Sequence, residues 1–219
     1  ILEEASNRGK TEYGYNAFNQ QTTTFMNNGQ IQENWYDAEF LRAEVSENGC
    51  SSRFLYYNGE LLAESELNDT VRNRYILGYG VAASWQKEGY HSYHLDEQNS
   101  TAYITDSGRR IENSYQYDAF GVIKSKTESI YNRILYTGQQ FDSITRQYYL
   151  RARYYNSAIG RFVQEDLYRG DGLNLYAYCA NNPVIYYDPM GEAGRRQTYL
   201  GGTPKIGSRV GKQVLQDAY

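Results

Sequence analysis

Phe54-Leu55-Tyr56-Tyr57-Asn58-Gly59-Glu60-Leu61-Leu62-Ala63 is the stretch on which the fold turns. Four residues of strand-forming type lead into Asn-Gly, and four more lead out. Asn-Gly tolerates positive φ at both central positions of a type I′ turn, whose twist matches that of two antiparallel strands. The decapeptide therefore predicts a β-hairpin. Its tyrosine has company: Tyr15-Asn16-Ala17, Tyr36-Asp37-Ala38 and Tyr57-Asn58-Gly59 begin 21 residues apart, and Tyr117-Asp118-Ala119-Phe120-Gly121 repeats the unit later. A period near 21 fits one hairpin, two strands and two turns. Between the units, short runs rich in Thr, Tyr, Phe, Ile and Val alternate with polar residues. Asn28-Gly29 and Ser107-Gly108 supply further turn chemistry.

A lone hairpin cannot bury its apolar face, whereas hairpins stacked side by side cover one another's edges. Tyrosine suits such a stack, because its ring packs on a pleated surface while its hydroxyl reaches a partner. The Asp or Asn after each Tyr can fold back on backbone N–H groups and set the turn. The expected fold is all-β, made of repeated antiparallel hairpins, with a short helical tail as its one exception.

Composition agrees. The 219 residues hold 25 tyrosines against 20 glycines, are 16% aromatic, and contain three prolines. No window approaches eighteen consecutive apolar residues, so a membrane-spanning helix is not expected. Ile1-Leu2-Glu3-Glu4 carries no signal-peptide pattern, and a start without Met reads as a piece of something longer. A net charge of −4 argues against nucleic-acid binding by the repeat body. Cys50 and Cys179 cannot form a disulfide framework. Neither has a His close in sequence to activate it. His91 and His94 fit packing in a strand better than metal binding, so neither a metal site nor a cofactor is expected.

Two kinds of protein use aromatic hairpins of this period. Choline-binding repeats lean on Trp cages, but this chain has only Trp35 and Trp85, not periodically placed. The Tyr-Asp units instead resemble YD repeats, found in rearrangement-hotspot (Rhs) proteins, the C component of Tc toxins, wall-associated bacterial toxins and teneurins. The longest signal lies in Tyr148-Tyr149-Leu150-Arg151-Ala152-Arg153-Tyr154-Tyr155-Asn156, Gly160-Arg161-Phe162, Gln164-Glu165-Asp166, Gly172-Leu173-Asn174-Leu175-Tyr176-Ala177-Tyr178, Asn181-Asn182-Pro183 and Asp188-Pro189-Met190-Gly191. It resembles the Rhs-repeat-associated core. The resemblance runs weakly from about residue 10 and strongly from residue 117 to 191.

The resemblance implies a spiralling, hollow YD-repeat shell over residues 1–130. It implies a core that closes one end of the shell over 131–191, and a linker with the start of a variable toxin over 192–219. It also implies an aspartyl autoprotease built from Asp166, Asp188 and Arg153, cutting between Glu192 and Ala193. Chemically, two carboxylates that share a site cannot both ionise easily, so one holds a proton while the other activates water. The guanidinium would keep one carboxylate charged or orient the scissile carbonyl. The same residues equally fit a structural role, the aspartates as turn caps and Arg153 as a bridge. Three positions depart from the family pattern: Leu167 stands where Pro is usual, the loop to Asn174 is one residue short, and Glu192 stands where cleaving members carry Leu. Asp171 reads as a turn residue.

Composition changes after Gly191. Arg195, Arg196, Lys205, Arg209 and Lys212 outnumber Glu192 and Asp217, leaving the tail at +3 and the remainder at −7. Gly201-Gly202-Thr203-Pro204 reads as a linker, and Ser208 could cap a short helix through Leu215. The partners implied are the protein's own C-terminal toxin as cargo, further YD repeats upstream, and an immunity protein. The place implied is secreted, or on the surface of a bacterium. The alternative is a non-catalytic cell-surface or wall-associated adhesion protein.

Overall fold

The computed structural model describes residues 2–6, 9–166 and 174–192, and the backbone of 195–196. Thirteen strands run in succession: β1 (Glu3–Ser6), β2 (Gly9–Tyr15), β3 (Gln21–Met26), β4 (Ile31–Tyr36), β5 (Arg42–Glu47), β6 (Cys50–Tyr57) and β7 (Glu60–Ser65). They continue with β8 (Val71–Leu77), β9 (Val81–Gln86), β10 (Gly89–Leu95), β11 (Thr101–Thr105), β12 (Ile111–Tyr117) and β13 (Ile123–Glu128). Each pairs antiparallel with the next in one uninterrupted sheet. Among the described residues the helical turns are two short 3₁₀ segments, Tyr136–Gly138 and Cys179–Asn181. The fold is all-β, as the hairpin pattern predicts. The helix expected after Ser208 lies outside the described residues.

The 21-residue beat has a physical basis. The β2–β3, β4–β5, β6–β7, β10–β11 and β12–β13 connections all fall at one end of the sheet. Asn16 Oδ1 accepts the N–H groups of Phe18 and Gln20. Asp37 does the same for Glu39 and Leu41, and Asp118 for Phe120 and Val122. Asp96 repeats the motif with Gln98 and Ser100, although Leu95 precedes it in place of tyrosine. Tyr57-Asn58-Gly59 keeps the beat with a different turn: Asn58 and Gly59 have φ of 50° and 75°, the two-residue geometry that Asn-Gly predicts. Ser107-Gly108 departs from expectation, because Arg109 takes the positive φ.

One face of the sheet is buried and unexpectedly polar. Gln32, Asn34, Arg42, Ser52, Glu64, Asn73, Ser84, His91 and Asn113 point inward beside Val45, Phe54, Tyr75, Tyr93, Ile104 and Tyr115. The other face is open, with Trp35, Leu55, Trp85 and Ile111 about half exposed or more. The inner face is covered by the chain downstream of β13. Segment 130–142 lies along it and leads into β14 (Gln140–Asp142), β15 (Gln147–Leu150), β16 (Arg153–Asn156) and β17 (Arg161–Phe162), a small second sheet. All four residues of β15 and all four of β16 are buried. This fits a hairpin packed on both faces. Tyr148, Tyr149, Tyr154 and Tyr155 fill it, and Tyr155 stacks on Tyr178 at 4.0 Å between ring centroids.

The large sheet must curl around this cap. Flat, ten inter-strand steps from β2 to β12 would span about 48 Å. Yet Gln147 donates to the Tyr13 hydroxyl of β2, and its neighbour Tyr148 donates to the Gly121 carbonyl just after β12. Adjacent Cα atoms are about 3.8 Å apart, so the two side chains can bridge only a strongly curved sheet.

A buried charge cluster holds the two layers together. Arg42 Nη1 meets Asp142 Oδ2 at 2.5 Å, and Arg133 Nη1 meets Asp142 Oδ1 at 2.8 Å. Arg133 also reaches Glu47 at 2.7 Å and Glu64 at 3.5 Å. Arg42 donates to Gln140 and lies over the Tyr149 ring at 4.5 Å. Burial alone would push the Asp142 carboxyl up, but Arg42, Arg133 and the Gln32 amide together hold it below the usual carboxylate range.

Candidate functional site

The β15–β16 hairpin turns through Arg151, whose φ of 59° is unusual for a side chain with a Cβ, and delivers Arg153 to the first position of β16. Arg153 is 5% exposed, and its guanidinium sits 3.8 Å from the Phe162 ring centroid. All three of its nitrogens donate. Nε donates to the Gly191 carbonyl at 2.5 Å, Nη1 to the Leu175 carbonyl at 3.1 Å, and Nη2 to the Glu192 carbonyl at 3.3 Å. The same Nη2 pairs with Asp166 at 2.8 Å and lies 4.0 Å from Asp188.

Asp166 follows β17 and is fixed through its backbone N–H on the Leu175 carbonyl. Asp188 is 1% exposed, and its Oδ1 accepts the N–H groups of Met190, Gly191 and Glu192. Burial pushes the Asp188 carboxyl up, against the opposing pull of those N–H groups and of Arg153. Burial likewise lowers Arg153, which its carboxylate neighbours offset only in part.

Segment 189–192 is gripped at every carbonyl. Pro189 O accepts from Arg151 and Gln139, Met190 O from the Ala152 N–H, and Gly191 O and Glu192 O from Arg153. Gly191 has φ of +69°, and a Cβ there would stand 2.5 Å from the Leu150 carbonyl oxygen. No other residue fits without backbone movement.

Asp166, Asp188 and Arg153 thus converge from three separate turns, with the guanidinium between the carboxylates and on the Glu192 carbonyl. The capping part of the structural alternative is also present, since Asp188 does cap the turn after it. Ala193, Leu167 and Asp171 lie outside the described residues. Elsewhere, Cys179 is buried, its thiol pushed up to about 12 by that burial, and Cys50 is exposed. His91 Nδ1 pairs with Glu112 at 2.6 Å between β10 and β12 of the large sheet, and His94 meets Thr105. Among the described residues no cluster of His, Cys, Asp or Glu could hold a metal ion, and no helix is long and apolar enough to cross a membrane.

Two partners in the site have no role assigned from the sequence: Arg151, which stands in the core pattern and ties Pro189 to the Gly59 turn, and Gln139. The Arg42–Asp142–Arg133 cluster is equally hidden, because nothing near Arg42 in sequence marks a cation for complete burial.

A curled antiparallel hairpin array, sealed on its polar inner face by a tyrosine-rich cap, defines the class: a repeat-built β shell segment. No protein-family model matches the chain. It is 36% identical over 169 residues to a tRNA3(Ser)-specific nuclease WapA of Bacillus spizizenii, covering 71% of this chain and 7% of that protein. It is 27% identical over 160 residues to double-stranded DNA deaminase toxin A of Burkholderia cenocepacia, covering 70% of this chain and 11% of the relative. The crystal structure of TcdB2-TccC3-Cdc42 superposes with a TM-score of 0.68 at 21% identity, over 83% of this chain and 10% of that one. The chain belongs to the Rhs/YD-repeat family. It spans only about a tenth of the length of these relatives or less.

Proposed function

We propose that this chain is the closing part of a toxin-associated Rhs shell, with residues 1–130 as wall, 131–191 as plug, and 192–219 leading into a C-terminal toxin carried as cargo. Further YD repeats would extend the wall from β1, and an immunity protein would protect the producing cell. The protein would act outside that cell, secreted or at the surface of a bacterium. The toxins among its relatives support this reading.

The plug would also cut the chain once, between Glu192 and Ala193. One observation carries this: Arg153 bridges Asp166, Asp188 and the Glu192 carbonyl. Water adds to the Glu192 carbonyl carbon as Asp166, the ion-paired carboxylate, takes its proton. Arg153 Nη2 holds the oxygen on which charge develops. Asp188, its carboxyl raised by burial, supplies the proton for the departing Ala193 nitrogen. The C–N bond breaks, leaving a carboxylate on Glu192 and an amine on Ala193. The intact mass of the purified full-length protein tests this, beside Asp188→Asn. Two fragments from the first and one chain from the second are expected, and one intact species in both would sink the protease. The second reading, a non-catalytic adhesion surface, draws on the exposed Trp35, Leu55 and Trp85 of the outer face, and predicts that intact outcome.

A further inference from the structure

We infer that the turn Arg151-Ala152-Arg153 is a main-chain ruler: it selects the bond to be cut by its count from Pro189, not by the side chain beside it. Arg151 is the positioning residue at the origin of that count. The inference rests on the autoproteolytic reading and deepens it, by saying how the bond is chosen. Leu150 pairs with Arg153 across the mouth of the hairpin, so the three residues form one tight turn. They read four successive carbonyls in order. Arg151 Nη1 donates to Pro189 O at 2.5 Å, and the Ala152 N–H to Met190 O at 3.1 Å. Arg153 takes the next two, Gly191 O through Nε and Glu192 O through Nη2. Each acceptor is a backbone atom that any residue would offer at that place.

Two features fix the count. The first is that Arg151 is anchored outside the segment it reads. Its Nε donates to the Gly59 carbonyl at 2.6 Å, and its Nη2 pairs with Glu60 at 2.8 Å. A guanidinium offers its donors as a rigid fork, so the origin is set by the β6–β7 turn of the large sheet. The second is Gly191, where a Cβ would stand 2.5 Å from the Leu150 carbonyl oxygen and 3.1 Å from the Arg153 nitrogen. A slip of one residue would bring Met190 or Glu192 into that place. It would also move the chain by about 3.3 Å, whereas a misplacement of about 1 Å already slows a reaction on the order of a hundredfold. Glu192, standing where the family pattern has Leu, is then no bar to the cut.

The test inserts one glycine between Gly191 and Glu192 of the full-length protein and reads the masses of the fragments. The ruler predicts that the cut moves to the bond after the inserted glycine, with Glu192 leading the downstream fragment. A cut that stays after Glu192, or no cut where the parent is cut, overturns the ruler and leaves the protease standing. Adding Arg151→Gln to the insertion releases the origin of the count. Upstream fragments should then end at both the inserted glycine and Glu192, one residue apart. Mere loss of stability would lower the yield of fragments without moving the bond, so a single end, or no cut, overturns the role of Arg151. An intact parent overturns the protease reading and the ruler together.

Discussion

Replacing Asp142 with Asn is the sharpest probe of how the thirteen-stranded sheet and its cap are joined. The substitution keeps shape and removes one charge. In the native structure that charge faces Arg42 at 2.5 Å and Arg133 at 2.8 Å, and Arg42 and Asp142 are inaccessible to solvent. Arg133 retains Glu47 and Glu64 as partners, but Arg42 loses its ion pair and keeps neutral acceptors. Breaking a buried pair from one side costs about 3–5 kcal/mol, because a desolvated cation is left behind. For a chain of this size each kcal/mol moves the thermal midpoint by about 2–4 °C. Asp142→Asn should therefore melt about 6–20 °C below the parent at pH 7. The pH dependence fixes the cause. The Asp142 carboxyl is held below its ordinary range in the folded state. Its contribution is thus complete above the unfolded value, about 3.9, and is lost as pH falls through the lower folded value. Urea unfolding of both proteins between pH 7 and pH 2.5 should show the gap constant down to about pH 4 and narrowing below it. A gap under about 1 kcal/mol at pH 7, or one that does not narrow in acid, would refute this account of the joint.

Two further substitutions probe the turn and the site. Asp37→Ala removes the acceptor for the Glu39 and Leu41 N–H groups and should cost about 1–2 kcal/mol in urea unfolding, whereas Asp37→Asn should restore most of it. Gly191→Ala forces a Cβ against the Leu150 carbonyl at a φ of +69°. It should destabilise by more than about 1 kcal/mol and, by displacing Glu192 from Arg153, leave a single intact mass where the proposed cut predicts two fragments.

The parts of this molecule that are legible in its sequence are those whose cause is local. Asn58-Gly59 dictates its turn because the backbone conformation is a property of those two residues. Asn16, Asp37 and Asp118 set theirs because a short side chain can reach only the N–H groups two and four positions ahead. The convergence of Arg153, Asp166 and Asp188 came from the family pattern; no spacing rule would have joined residues 13 and 35 positions from Arg153. The polar lining of the wall was not legible. Gln32, Glu64, Asn73 and His91 alternate with exposed residues as any solvent-facing set would. The covering segment brings a matching group to two of them, Asp142 to Gln32 and Tyr131 to Glu64, while His91 is met by Glu112 of the same sheet and the buried Asn73 amide has no hydrogen-bond partner among the described residues. Binary patterning, which reads polar as outside, inverts there. The exposed Trp35, Leu55 and Trp85 are the other side of that inversion.

The curl of the wall around its cap also sets a timetable. Neighbouring strands pair locally, so the hairpins can form as each emerges from the ribosome. The inner face is different: Tyr13 waits for Gln147, Asn19 for the Glu165 carbonyl, and Glu4 for Asn156, partners between 134 and 152 positions away. At about 5–20 residues per second, the first strands spend on the order of ten seconds with that face uncovered. Apolar faces left open for so long would invite aggregation, whereas Gln, Asn, Ser and Glu can stay hydrated until the cap arrives. The buried polar lining is, on this account, a provision for the nascent chain as much as a feature of the finished one.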